Sequence, residues 1–392
     1  MLSTPNLAAE TIPHGAARAS RIASIDALRG LVILLMLVDH TREFFFRHMP
    51  VPDPMDVEAT TPELFFTRLS AHLCAPIFVL LTGVGAWLYA APRGGARAAS
   101  DFLWKRGLFL VVLEVTVVSF AWSFELLPDR FFLQVIWAIG VSMLALAALV
   151  HLPRGVLVAV GLVLVLGHNL LDGVHVAPGG AGHVLWAMLH ERTLLPLPWG
   201  GDVRTSYPLL PWIGVIALGY AMGPWFARAV EQGWRLRALL ATGLVSLLAF
   251  AVLRSINLYG DPIPWQAGGD GLHSVMSFLN LTKYPPSADF LLLTLGLGAL
   301  LLAALEKLPA RPVAVLAVYG SAPLFFYLLH LYLLNAINRI AAAATGVDGL
   351  ATLPNVASLW LMAGAVAVPC WFACRWFGGV KRASGAWWMR YL

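Results

Sequence analysis

The feature that most constrains this chain is a succession of long apolar runs with almost no charge inside them. Of 392 residues, 59% are hydrophobic and 12% are charged. A soluble domain carries about 25% charged residues. Inside lipid the backbone finds no water to bond, so each run must close its own hydrogen bonds as a helix. The runs are continuous and do not alternate, which argues against a β-barrel. The sequence therefore predicts an all-α polytopic membrane protein of about ten transmembrane helices. They are placed near 25–46, 68–91, 104–122, 131–150, 155–171, 207–227, 237–256, 288–305, 313–334 and 355–377, with a short interfacial helix over 183–190. Residues 1–24 form a short N-terminal segment, 25–377 a single transmembrane domain and 378–392 a tail.

The formal charge of +5 is not a nucleic-acid signal, because the basic residues lie in short loops where they set topology. Arg18, Arg21, Arg93, Arg97, Lys105, Arg106, Arg154, Arg228, Arg235, Arg237, Lys307, Arg311, Arg375, Lys381, Arg382 and Arg390 fall on one side, sixteen cations against nine on the other. That asymmetry predicts two cytoplasmic termini. The opposite loops, near 47–67, 172–206 and 257–287, are longer, aromatic and mildly acidic. They read as interfacial tryptophan belts or as a surface for a polar ligand. Cys74, Cys370 and Cys374 sit in apolar segments and give no disulfide framework. No cleavable leader is evident, so the first helix also targets the chain. The sequence carries no Walker A loop and no His-Glu-x-x-His zinc motif, and no metal is expected.

Against this background the ionisable residues inside the apolar runs stand out, because each is costly there. The first helix holds Asp26, Arg29, Asp39 and His40. Eleven residues at about 100° bring Arg29 and His40 to within roughly 20° of one face, about 16 Å apart along the axis. Asp39 points away from its neighbour and is placed to meet Arg42 or Glu43. Arg29 has its own intrahelical alternative, a pair with Asp26. Arg68 and His72 open the second helix, Glu114 lies in the third, His168 and Asn169 end the fifth, Lys283 and Tyr284 lead into the eighth, and His330 lies in the ninth. Each also has a purely structural reading: a snorkelling arginine, a neutral carboxyl bonded across helices, or a satisfied core histidine. His40 is the strongest candidate for a role. An imidazole titrates near neutrality and can accept a proton from a hydroxyl or amine. An arginine near the inner surface suits phosphate, with Arg106 as a helper. Such a pair suits a phosphorylated donor from the cytoplasm and a nucleophile from outside, as for an acyl-coenzyme A. The competing class is a proton-coupled small-solute transporter, since the same groups mark transport pathways. Paired broken helices and repeated halves, which would favour it, are not evident in the sequence.

Arg29, ten residues and then His40 resemble the signature of membrane O-acyltransferases of the acyltransferase-3 type. More of the chain resembles bacterial proteins that carry the heparan-α-glucosaminide N-acetyltransferase catalytic domain. The resemblance lies in Ser24-Ile-Asp-Ala-Leu-Arg-Gly30, Leu37-Val-Asp-His40, Leu73-Cys-Ala-Pro-Ile-Phe78, Gln134-Val-Ile-Trp-Ala-Ile139, Tyr207-Pro-Leu-Leu-Pro-Trp212, Leu279-Asn-Leu-Thr-Lys-Tyr-Pro-Pro286 and Leu328-Leu-His-Leu-Tyr332. It implies a multi-pass acetyltransferase of a bacterial cytoplasmic membrane, with acetyl-coenzyme A as acyl donor. It further implies an outward-facing sugar or envelope glycan as acceptor, no nucleic-acid partner, and leaves an oligomer open. The lysosomal member has an asparagine where Asp39 stands, and its proposed catalytic histidine lies near the place of His48. The base is thus His40 or His48; His40 is favoured because it is embedded and shares a face with Arg29. On this reading His40 and Asp39 are catalytic, and Arg29 and Arg106 bind the donor. Arg68, His72, Glu114, His168, Asn169, Lys283, Tyr284 and His330 then line the pocket.

Overall fold

The computed structural model describes residues 22–46, 53–345, 351–384, 386 and 389. His48 lies outside them. The chain folds into helices α1 (Ala23–Phe45), α2 (Pro62–Ser70), α3 (Cys74–Ala90), α4 (Ala96–Leu113), α5 (Ser119–Ser123), α6 (Val135–Leu149), α7 (Arg154–Gly167) and α8 (His183–Leu189). It continues through α9 (Leu210–Met222), α10 (Gln232–Ile256), α11 (Gly271–Leu279), α12 (Ala288–Leu305), α13 (Ala310–Gly320), α14 (Pro323–Thr345) and α15 (Val356–Ala383).

Among the described residues, seven helical stretches are long and apolar enough to cross a membrane: Pro62–Arg93, Ala96–Ser123, Arg154–Leu171, Gln232–Ile256, Ala288–Leu305, Pro323–Ala344 and Val356–Ala383. Val135–Leu149, Leu210–Phe226 and Ala310–Gly320 are apolar but shorter. The first helix has the length, 23 residues, but carries Asp26, Arg29, Asp39, Arg42 and Glu43. It is also the centre of the bundle, touching α3, α12, α13, α14 and α15.

Local chemistry explains the boundaries. Thr61 caps α2 by accepting the Leu64 amide, and Pro62 occupies the first turn, where its missing N–H is harmless. Pro76 cannot bond the His72 carbonyl, and the chain takes a 3₁₀ turn at Ala71–Leu73 just ahead of it. The span expected over 313–334 is two helices, α13 and α14. Gly320 ends the first, and Pro323, which cannot continue a hydrogen-bonded helix, starts the second. The helix expected over 183–190 is present as α8. A small sheet was not foreseen: β1 (Arg130–Phe132) pairs parallel with β3 (Asp202–Arg204), and β2 (Leu194–Pro196) pairs antiparallel with β3. Arg130 and Asp202 clasp it by two hydrogen bonds, of 2.5 and 2.8 Å.

Glycines let the helices cross at backbone distance. A Cβ on Gly30 would lie 1.9 Å from the Leu316 carbonyl oxygen, and one on Gly320 would lie 1.7 Å from that of Asp26. α1 and α13 therefore meet carbonyl to glycine in both directions, the close packing that small residues permit in membranes. Gly83 and Gly219 do the same between α3 and α9, Gly107 and Gly140 between α4 and α6.

Candidate active site

A cavity of about 920 Å³ opens beside the C-terminal half of α1, where the polar residues of several helices converge. α1 contributes Asp39 and His40, α2 and the turn after it Arg68 and His72, α3 Thr82, α4 Arg106, and the π-helical turn after α4 Glu114. Ile136, Ile139 and Met143 of α6 supply an apolar wall. Connecting segments close the rest with Arg192, Arg204, Tyr207, Lys283 and Tyr284. Thr82 lies ten residues beyond His72, about 15 Å along the helical stretch, so the cavity is elongated.

His40 is held by a second histidine. Its Nδ1 lies 2.7 Å from His330 Nε2, and the rings stack at 5.0 Å with 14° between planes. His330 Nδ1 in turn lies 2.7 Å from the Phe326 carbonyl oxygen. A carbonyl only accepts, so His330 carries its proton on Nδ1. With both rings neutral, His330 Nε2 then accepts from His40 Nδ1–H. That order leaves the lone pair of His40 on Nε2, on a ring that lines the cavity. Trp122 packs edge-on at 5.0 Å and Tyr327 at 5.9 Å, confining the imidazole.

Asp39 bonds two arginines, not its neighbour's ring. One oxygen accepts from Arg42 Nε at 3.2 Å, the contact expected from the helical spacing, and the other from Arg68. Arg68 is thus a buried partner of α1, not a surface-seeking chain. Glu114 accepts the Trp137 amide at 2.9 Å, so a carboxyl from the π-helical turn after α4 covers the first turn of α6, whose own cap residue Gln134 offers no side-chain bond. His72 Nδ1 is buried with no hydrogen-bond partner among the described residues.

The mouth formed by the connecting segments is cationic. Arg192 lies over the Tyr284 ring at 4.6 Å and Lys283 at 5.4 Å. Burial alone would raise the Tyr284 phenol, but Lys283, Arg68 and a bond from Tyr207 outweigh it and bring it down to about 8. Tyr207 moves up, through burial and the proximity of Tyr284. Burial and the charges of Arg192 and Arg130 push Arg204 down. Asp202 is held low by Arg130.

Of the residues singled out by sequence, the cavity gathers Asp39, His40, Arg68, His72, Arg106, Glu114, Lys283 and Tyr284. Four do not line it. Arg29 donates to Asp26 at 3.1 Å and to the Leu81 carbonyl at 2.9 Å, which turns its fork into a brace between α1 and α3; it is still close enough to Arg106 for each to feel the other's charge. His330 stands behind His40. His168 faces the Leu164 and Val165 carbonyls at the end of α7, where helix-terminal acceptors need donors. Asn169 donates to Asp172 at 2.8 Å and accepts the Ala288 amide at 2.9 Å, tying α7 to the start of α12. Sequence reasoning missed Trp122, Arg192, Arg204, Tyr207 and Tyr327. Tyr207 sits in one of the motifs quoted above; the two arginines lie in a loop whose composition reads as acidic. Among the described residues no three His, Cys, Asp or Glu side chains gather as a metal would require.

A family profile described as heparan-alpha-glucosaminide N-acetyltransferase, catalytic, matches residues 21–260. The match takes in Asp39, His40, Arg68, Arg106, Glu114 and Tyr207, and ends before Lys283, Tyr284 and His330. No curated protein sequence matches the chain.

Proposed function

Since the chain belongs to the heparan-α-glucosaminide N-acetyltransferase catalytic family, we propose that it moves an acetyl group from acetyl-coenzyme A to a hydroxyl or amine of a sugar inside this cavity. The observation that carries the reading is the His40–His330 pair, which, with both rings neutral, leaves the lone pair of His40 on Nε2 of a ring that lines the cavity. In the step proposed, His40 Nε2 takes the proton of the acceptor as its oxygen or nitrogen attacks the thioester carbonyl. The carbon–sulfur bond then breaks and coenzyme A leaves as the thiolate, which the imidazolium can reprotonate. His330 is a positioning residue that holds the tautomer. Asp39 positions Arg68 beside the reacting groups. Arg106, with Arg29 nearby, supplies positive charge for the donor's phosphates, and the Arg192, Lys283 and Tyr284 mouth receives the acceptor. The donor enters from the cytoplasm, and the acceptor is an outward-facing glycan.

Purified protein should bind acetyl-coenzyme A and release free thiol only when a sugar acceptor is supplied. His40→Ala should keep donor binding and lose thiol release. Acceptor-dependent transfer at the native rate by that variant would refute the assignment. Solute flux without any thiol release would favour a transporter instead.

A further inference from the structure

The turn that brings Lys283 and Tyr284 to the cavity mouth is held at both ends by one side chain. Lys283 and Pro286 face each other as an antiparallel bridge, and the Ser287 amide donates to the Thr282 carbonyl at 2.9 Å. A hydroxyl stands on either side of that bridge, on Thr282 and on Ser287. Both donate to Asp261, at 2.9 and 2.6 Å. The Thr282 amide adds a third bond at 2.8 Å and the Ile263 amide a fourth at 3.0 Å. We propose that Asp261 is a positioning residue for the mouth: it sets where Lys283 and Tyr284 stand, and through them how tightly the acceptor binds. The second half of that statement rests on the acetyl-transfer reading given above.

A carboxylate has about four lone-pair sites. Here Oδ1 accepts from Thr282 Oγ1 and the Ile263 amide, and Oδ2 from the Thr282 amide and Ser287 Oγ, so every site is used. The Asp261 side chain is only 1% accessible. A carboxylate so buried is costly unless it is both bonded and paired. Its counter-charge is Arg254 of α10, itself buried, at 4.0 Å. That guanidinium donates to the carbonyls of Ile263, Ser277, Phe278 and Asn280, at 2.8 to 3.1 Å. Ser277, Phe278 and Asn280 lie at the C-terminal end of α11, where carbonyls run out of helical donors. On the other side, Ser287 Oγ caps α12 by accepting the Phe290 amide at 3.1 Å. Asp261 therefore stands between α10 and α12 with the turn fixed upon it.

What the turn carries is the charge of the mouth. Arg192 and Lys283 lie 4.6 and 5.4 Å from the centre of the Tyr284 ring, and the Tyr207 ring meets it edge-on at 5.0 Å. Those distances hold only with the turn in one place. Thr282, Lys283 and Tyr284 line the cavity and Asp261 does not, so Asp261 reaches a bound sugar only through the turn.

The test uses the full chain in detergent and begins with a reading that needs no turnover. The Tyr284 phenolate step, identified by its loss in Tyr284→Phe, should fall near pH 8 in the native protein. A phenol free of its cations ionises near 10. Asp261→Asn leaves one acceptor oxygen where two stood and turns an N–H₂ toward the donors, so it should move the step up, to about 9 or above. Thr282→Val removes a single donor and should move the step part of the way, whereas Thr282→Ser keeps the donor and should leave it near 8. The threonine pair carries the comparison even if Asp261→Asn fails to fold. Glucosamine, which offers both an amine and hydroxyls, is the acceptor probe. Its KM should rise about tenfold in Asp261→Asn, with the KM for acetyl-coenzyme A near native. A step that stays near 8 in both Asp261→Asn and Thr282→Val would overturn the proposal. So would equal steps in Thr282→Val and Thr282→Ser, or an unchanged glucosamine KM beside a moved step. Moved steps in a protein whose native form never releases thiol would support the positioning of the turn and refute the acetyl-transfer reading.

Discussion

A histidine inside an apolar helix is ambiguous until its partners are known, and at His40 those partners form a short ordered chain. The Phe326 carbonyl orients His330, which orients His40, so the proton-accepting nitrogen is determined two residues away from it. General-base assistance contributes roughly 10²–10⁴-fold, and His40→Ala should lose turnover by that order in a thiol-release assay. His330→Gln keeps an acceptor for His40 Nδ1–H and should retain more activity than His330→Phe. Both should lower kcat and leave the KM for acetyl-coenzyme A near native; a KM effect alone would mean that His330 only packs. Tyr284 allows a separate check. A free phenol ionises near 10, whereas the cations around Tyr284 bring it to about 8. Ultraviolet absorbance should therefore show one phenolate appearing as the pH rises through about 8, and Tyr284→Phe should remove that step. The helix-borne part of this site was legible in sequence, because an ionisable group in an apolar run is conspicuous wherever the helix later packs. Which groups would meet was not: Arg29 and His40 share a face by spacing, yet the guanidinium bonds Asp26 and the Leu81 carbonyl and does not line the cavity with His40.

Among the elements, periodicity located most helices but not the break between α13 and α14. Apolar residues continue across it, and only Gly320 and Pro323 mark it. The three-stranded sheet was hidden for a different reason: its strands have three residues each and pair Arg130 with Asp202, 72 positions apart. Hydropathy also says nothing about how closely helices approach, and glycine does. Gly30→Ala would drive a methyl group into the Leu316 carbonyl. Overpacking of this kind costs about 1–3 kcal/mol, which thermal unfolding in detergent should register as a lowered midpoint. Gly364, also inside a helix, has nothing within 4 Å of its Cβ position. Gly364→Ala should be neutral or slightly stabilising, since alanine is the better helix former by about 1 kcal/mol. Equal effects at the two positions would remove close packing as the cause.

For the molecule as a whole, the proposed reaction has a direction across the membrane. Labelled acetyl-coenzyme A sealed inside oriented proteoliposomes should label a sugar supplied only outside. Label confined to an acceptor on the donor's side would show that both substrates share one entrance. The fold class follows from low charge and from apolar runs that continue without alternating, because few architectures tolerate both. The cavity does not, since Arg192, Arg204, Lys283 and Tyr284 come from connecting segments and their meeting depends on the packing of every helix between them.

The reciprocal glycine contacts also bear on how such a gene can change. A single base change in a glycine codon leads to alanine, serine, valine, aspartate, glutamate, arginine, cysteine or tryptophan, and every one of these carries a Cβ. At Gly30, Gly83, Gly219 and Gly320 that atom would fall within 2.3 Å of a carbonyl oxygen on the facing helix. Each of these codons is therefore one step from damage in every direction that alters the protein. At Leu244, Val245 and Leu248, exposed on the apolar face of α10, the facing surface offers no backbone to collide with, and one apolar residue can replace another. Tolerance in this chain should run in stripes: variable where helices face outward, and nearly invariant along the narrow seams where two backbones touch.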